Sequence, residues 1–159
     1  MSKTKKTNAA RILDGLGIVY ELKTYAVDES DLSAVHVAQM SGLNIEMIFK
    51  TLVARGDKTG VIMAVIGGGD ELNLKALARA SGNKSVDMIA LKELLPLTGY
   101  VRGGCSPLGA KKNYPVFVDS RALTLDRISI SAGLRGMQIV LAPRDLVRAV
   151  NATVADLTA

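Results

Sequence analysis

Lys50 is the charged residue most out of keeping with its surroundings, standing between Phe49 and Leu52-Val53 early in an otherwise apolar run. On a strand its side chain shares a face with Ile48 and Leu52, which can bring an ammonium group into a cleft. The other reading is an edge lysine whose stem covers apolar surface while its charge stays in water, and the pattern alone favours it. Gly103-Gly104-Cys105-Ser106-Pro107-Leu108-Gly109 is the second candidate. Its glycines allow close backbone approach and can aim successive N–H groups at one oxygen, of a phosphate or of an ester under attack. A wide turn stiffened by Pro107 explains the same residues equally well. In the turn Ser131-Ala132-Gly133-Leu134-Arg135-Gly136, Ser131 could point into a site and Arg135 could meet a phosphate, although the spacing favours a plain hairpin.

Other chemistries lack their residues. Gly67-Gly68-Gly69 has neither the Gly-Lys-Ser/Thr ending of a P-loop nor the spacing of a dinucleotide motif. Cys105 and His36 are the single cysteine and histidine, which excludes an internal disulfide and a zinc site built from those residues, and fits a reducing cytoplasm. A thiolate nucleophile needs a base or a lowered pKa, and no motif ties His36 to Cys105, so Cys105 reads as a small packing residue. Ser106 has no evident base, and Asp28, Glu29 and Asp31 read as a solvated loop. No metal or cofactor is expected. What remains is a glycine-rich cleft with a lysine, suited to an anionic or oxyanionic ligand.

These residues need elements to hold them. Thr7 or Asn8 can cap a helix over Ala9–Asp14 that stops at Gly15 or Gly17. Ile18–Tyr25 alternates as a half-buried strand, Ser33 opens a helix that ends near Gly42, and Asn44 caps one further turn. Phe49–Arg55 and Val61–Ile66 read as a hairpin around Gly56–Gly60. Leu74–Ala80 has helical spacing and stops at Gly82, followed by a short strand at Ser85–Met88 and a helical turn over Leu91–Leu95. Strands follow at Val116–Asp119, Ile128–Ser131 and Met137–Leu141, and Pro143 starts a last helix to Val150. So many short strands with scattered helices point to an α/β protein with a curved mixed sheet or partial barrel and flanking helices.

The composition is that of a globular chain. Its 159 residues suit a single domain, 1–159, with 48% hydrophobic and 22% charged residues. No apolar run approaches the ~20 residues a bilayer-spanning helix needs, and the basic start Met1–Thr7 has no apolar core behind it, as a secretory signal would. The net charge is +5, from 20 Lys+Arg against 15 Asp+Glu, and can draw a nucleic acid end toward a site. With only 4% aromatics, an extended base-stacking platform is not expected. Lys3, Lys5, Lys6, Lys111, Lys112 and Arg135 are candidate phosphate contacts.

Four motifs occur in order: Phe49-Lys50-Thr51-Leu52-Val53, Leu72-Asn73-Leu74-Lys75, Gly99-Tyr100-Val101-Arg102-Gly103-Gly104-Cys105-Ser106-Pro107-Leu108-Gly109, and Ile130-Ser131-Ala132-Gly133-Leu134-Arg135-Gly136. Together they resemble the YbaK/EbsC family of aminoacyl-tRNA deacylases, related to the editing insertion domain of prolyl-tRNA synthetase. The resemblance implies a mixed, barrel-like sheet with surrounding helices and trans-editing hydrolysis of mischarged tRNA, foremost Cys-tRNA(Pro). It places the family's critical lysine on Lys50 and its glycine loop on Gly103, Gly104, Ser106, Pro107 and Gly109, with Tyr25 and Ser131 as further pocket positions. Several cysteine-specific relatives carry phenylalanine in the loop before the second helix, where this chain has Asp31-Leu32-Ser33-Ala34. The implied partners are the 3′ end of aminoacyl-tRNA and prolyl-tRNA synthetase, in the cytoplasm. A non-catalytic module that only binds aminoacyl-tRNA or docks on a synthetase would need the same pocket.

Overall fold

The computed structural model describes residues 6–158. Its helices begin and end where short polar side chains and glycines meet free backbone groups. In α1 (Asn8–Gly15) the Thr7 hydroxyl accepts from the Ala10 N–H, and in α2 (Ala34–Ser41) Ser33 accepts from His36, with left-handed Gly42 closing the helix. Asn73 caps α3 (Leu74–Ser81) in the same way, and Gly82 ends it. A short α4 (Leu94–Thr98) and α5 (Pro143–Val150), with proline in its first turn, complete the helices.

The strands form two sheets. β2 (Phe49–Gly56) and β3 (Gly60–Gly67) make the expected hairpin, with Lys50 opposite Ile66 and Phe49 opposite Gly67. β4 (Val86–Met88) joins the far edge of β2 antiparallel, while β5 (Val116–Asp119) and β8 (Thr153–Ala155) extend the sheet in parallel from β3. β1 (Tyr20–Thr24), β7 (Met137–Leu141) and β6 (Ile128–Ser131) form a three-stranded antiparallel sheet in that order. A single parallel bridge between Ile48 and Ser129 joins the two sheets, so the mixed sheet bends at the foot of β2. The expected α/β architecture is present. β8 has no counterpart among the expected strands, because three residues with no alternating pattern form a strand only by pairing with distant Phe117–Asp119.

Strand alternation separates two cores. Met63 and Val65 face the space between the sheets with Phe49, Val53, Ile130 and Ile139, whereas Ile62, Ala64 and Ile66 pack under α3 with Leu77 and Leu157. β3 is thus covered on both faces, which is why its sequence is an unbroken apolar run. Asp119, itself buried, accepts from the Leu157 N–H at 2.8 Å and holds the segment after β8 against this second core.

Candidate active site

Lys50 is half-buried and lines a cavity of about 700 Å³ that opens to solvent. The cavity lies along one side of β2. β4 pairs with β2 only over Ala54–Gly56, the Ile89 N–H reaches the Val53 carbonyl, and β6 bridges to Ile48, so Lys50–Leu52, with β3 on one flank, borders the cavity between these attachments. Gly103, Cys105 and Ser131 line the same space, which brings together three of the segments singled out in the sequence.

The remaining sequence candidates sit close by without lining it. Ser106 is fully buried, its hydroxyl accepting from the Leu108 N–H at 3.2 Å. Gly104 lets its loop touch the turn after β6: a Cβ there would lie 3.2 Å from the Arg135 nitrogen. Pro107 is buried and Gly109 packs against Asn8 and Tyr100, so both shape the loop from behind. Tyr25 lines a small adjoining pocket with Leu32, His36, Gly103 and Arg135. Of the basic candidates, Lys6 pairs with Asp14 and Arg135 donates to the Arg102 carbonyl, while Lys111 and Lys112 are exposed. Lys3 and Lys5 lie outside the described residues.

The wall holds polar groups that the sequence reading passed over. The Thr51 hydroxyl is buried and has no hydrogen-bond partner among the described residues. A buried hydroxyl left unpaired costs about 1–3 kcal/mol, so a ligand or water that satisfies it gains correspondingly. Gln138 is buried with its Oε1 accepting from the Ser129 hydroxyl at 2.7 Å, and its amide nitrogen has no partner among the described residues. Strand alternation could have placed Thr51 and Gln138 on inner faces, but which inner face borders a cavity depends on how the two sheets meet. Arg102 lines the rim, exposed and without an ion pair among the described residues. Met88, Ile89, Leu91 and Leu94 make an apolar flank. The turn that carries Leu91 is fixed by Glu93, whose carboxylate accepts from the Ala90 N–H and pairs with Arg55 at 3.0 Å. The Arg55 partner holds the Glu93 carboxyl below its ordinary range.

Among the described residues that line the cavity, no acid–base pair is placed to activate a nucleophile. Burial pushes the Cys105 thiol up from 9.0 to about 12, so it is a protonated core side chain. His36 lies in α2, its Nδ1 4.0 Å from Asp31, beside the small pocket and away from the main cavity's lining. Among the described residues no group of three or more His, Cys, Asp and Glu is placed to hold a metal ion, and no helix is long and apolar enough to cross a membrane. Backbone donors are available instead. The Gly104 N–H is occupied by the Val101 carbonyl at 2.9 Å, whereas those of Gly103 and Cys105, both at the cavity wall, have no partner among the described residues.

A lysine, free backbone N–H groups and a solvent-open cavity suit an activated acyl group, and the family comparison agrees. The model of the aminoacyl-tRNA editing domain matches residues 29–149. The chain belongs to this family. Editing domains of this kind cleave the ester that joins an amino acid to tRNA, so the protein is an aminoacyl-tRNA deacylase. It is 47% identical over 161 residues to the "Putative Cys-tRNA(Pro)/Cys-tRNA(Cys) deacylase EbsC" of Enterococcus faecalis, covering 99% of this chain and 98% of that protein. Among solved structures, the crystal structure of a hypothetical protein aligns with a TM-score of 0.87 at 25% identity, covering 96% of this chain and 100% of the other. A "putative trans-editing enzyme for prolyl tRNA synthetase" aligns with a TM-score of 0.80 at 24% identity, over 98% and 99% of the two chains, and shares the fold.

Proposed function

We propose that residues 1–159 act as one trans-editing unit whose foremost substrate is Cys-tRNA(Pro), with the terminal aminoacyl-adenosine held in the cavity beside β2. The observation that carries this is the convergence of Lys50, Gly103 and Ser131 on one solvent-open space in a chain of the editing family. EbsC, similar over almost the whole chain, is named for the same substrate.

The aminoacyl ester arrives activated, so positioning can supply much of the rate, up to about 7–11 kcal/mol in favourable intramolecular cases. The Lys50 ammonium anchors the substrate's carbonyl, ribose or terminal phosphate. The N–H groups of Gly103 and Cys105 face the carbonyl oxygen as it gains charge; one such donor is worth about 2.7–4 kcal/mol. In cysteinyl-tRNA the substrate's own sulfur attacks its own carbonyl as the ester C–O bond breaks; the departing ribose oxygen takes up the thiol's proton, and water then opens the resulting β-thiolactone to free cysteine, so no protein nucleophile is required. Ser131, Thr51 and Gln138 line the amino-acid end. The flank of Met88, Leu91 and Leu94 takes the adenine, with Arg102 toward the adjoining phosphate. Tyr25 supports the loop that closes over Gly103 through Leu32. Ser106, Gly104, Pro107 and Gly109 hold the substrate-facing loop in shape. Prolyl-tRNA synthetase, which generates the mischarged tRNA, is the partner that would present it, and the cytoplasm is where that encounter occurs.

The test is a panel of Cys-, Ala-, Ser- and Pro-tRNA incubated with catalytic amounts of the protein. Multiple turnovers of released cysteine are expected from wild type and none from Lys50→Ala, which keeps its circular dichroism spectrum. Binding without amino-acid release would identify a non-catalytic module, and a fully active Lys50→Ala would remove the anchor from the mechanism.

A further inference from the structure

Lys50 is useful only if the first residues of β2 are held still, and on the flank away from β3 the described residues give β2 only the Ile48–Ser129 bridge at its foot and the Ile89 N–H on the Val53 carbonyl, with no strand paired along Lys50–Leu52. The structure supplies a clamp from elsewhere. Arg121 lies in the 3-10 turn Ser120–Thr124 after β5, and its guanidinium carbon sits 4.8 Å from the centre of the Phe49 ring. One nitrogen donates to the Glu46 carbonyl at 3.1 Å, in the turn that leads into β2, and another meets Asp70 at 3.4 Å, just past the end of β3. Arg121 therefore touches the segment before Lys50, the residue next to Lys50, and the loop after Lys50's partner strand. Its backbone is held in turn, because the Arg121 N–H donates to Asp119, whose other oxygen accepts from Leu157.

Gly67 makes room for this arrangement. It pairs with Phe49 across the hairpin, and a Cβ there would come within 2.1 Å of an Arg121 nitrogen and 2.4 Å of an Asp70 oxygen. The glycine run that fits no nucleotide motif thus has a use: its first member leaves the path by which the guanidinium reaches Phe49.

We propose that Arg121 is a positioning residue of the editing site, acting through Glu46, Phe49 and Asp70 to fix the start of β2 and so the place of Lys50. Because it concerns turnover, this rests on the deacylase reading above. A planar fork can stack on the ring while bonding in two directions, and lysine cannot do so. Two variants disturb the clamp in different ways. Arg121→Lys keeps the charge and loses the fork. Gly67→Ala keeps Arg121 but displaces it, and only flexible side-chain ends have to move. Both are expected to fold with the wild-type Tm and to lower kcat for Cys-tRNA(Pro) by about tenfold or more while KM stays within about twofold, because small misplacements near a reacting group cost rate. The double variant should be no slower than the worse single one, since both remove the same clamp. Amide hydrogen exchange at 47–51 should rise by about tenfold in both variants, with the 83–88 segment unchanged. Wild-type kcat in Arg121→Lys, a loss confined to KM, additive losses in the double variant, or unchanged exchange at 47–51 would each overturn the assignment. If wild type itself releases no amino acid, the deacylase reading fails, and the exchange measurement still decides the clamp.

Discussion

Cys105 is the residue most easily mistaken for a nucleophile, since it lines the cavity beside Gly103. Its burial makes it a poor one. A thiol held at about 12 instead of 9.0 has a thiolate fraction at neutral pH smaller by about 1000-fold. Cys105 should therefore react with iodoacetamide at pH 7.5 at least about 1000-fold more slowly than the same cysteine in urea-unfolded protein, since only the thiolate attacks. Cys105→Ala removes one buried sulfur and is expected to lose about 1 kcal/mol of stability while keeping most of the deacylase activity. The assays are mass-spectrometric alkylation kinetics and cysteine release from Cys-tRNA(Pro). Rapid alkylation of the folded protein that abolishes activity, with protection by substrate, would make Cys105 a catalytic thiol.

Burial also sets a limit at high pH. Cys105 and Tyr100 are both raised to about 12 by desolvation, from 9.0 and 10.0, so above pH 9 the unfolded chain gives up protons that the folded chain retains. Their contribution is complete below pH 9 and is lost as the pH climbs toward 12, so Tm should fall over that range, and Cys105→Ala should flatten the earlier part of the fall. Gly68→Ala would put a Cβ 2.4 Å from the Ala34 side chain and 3.2 Å from the Ile48 carbonyl, so that α2 has to shift. A loss of about 1–3 kcal/mol in urea unfolding is expected. Arg102→Ala should weaken aminoacyl-tRNA binding and reduce the slope of log K against log salt by about 0.7, the share of one phosphate on a single strand. An unchanged slope would take Arg102 off the RNA path.

The sequence is most legible where a local rule is sufficient. Thr7, Ser33 and Asn44 cap the turns expected of them, Gly42 and Gly82 end their helices, and the Gly56–Gly60 turn closes its hairpin because the chain needs only near neighbours to decide these features. The placement of Lys50 on a face with Ile48 and Leu52 follows from strand alternation alone. That this stretch of β2 borders a cavity does not, since it depends on β4 stopping at Ala54 and on the three-stranded sheet meeting β2 at one bridge. Arg121 was illegible for the same reason: nothing local connects it to Phe49, 72 positions earlier in the chain. The glycine loop reads in sequence equally as a ligand cradle or as a turn stiffened by Pro107, and it divides between the two: Gly103 lines the cavity, whereas Gly104 and Gly109 owe their glycine to the tight approach of Arg135, Asn8 and Tyr100.

The seat of Leu157 bears on how the protein is made. This residue fills the hollow beneath α3, its N–H bound to Asp119 and its carbonyl accepting from Asn73. Synthesis runs from the N-terminus, so a growing polypeptide carries β3 and β5 with an open flank and an unplugged hollow until Leu157 has emerged. Since Asp119 also orients the turn bearing Arg121, the working geometry is complete only once Leu157, made after α3, β3 and β5, has docked.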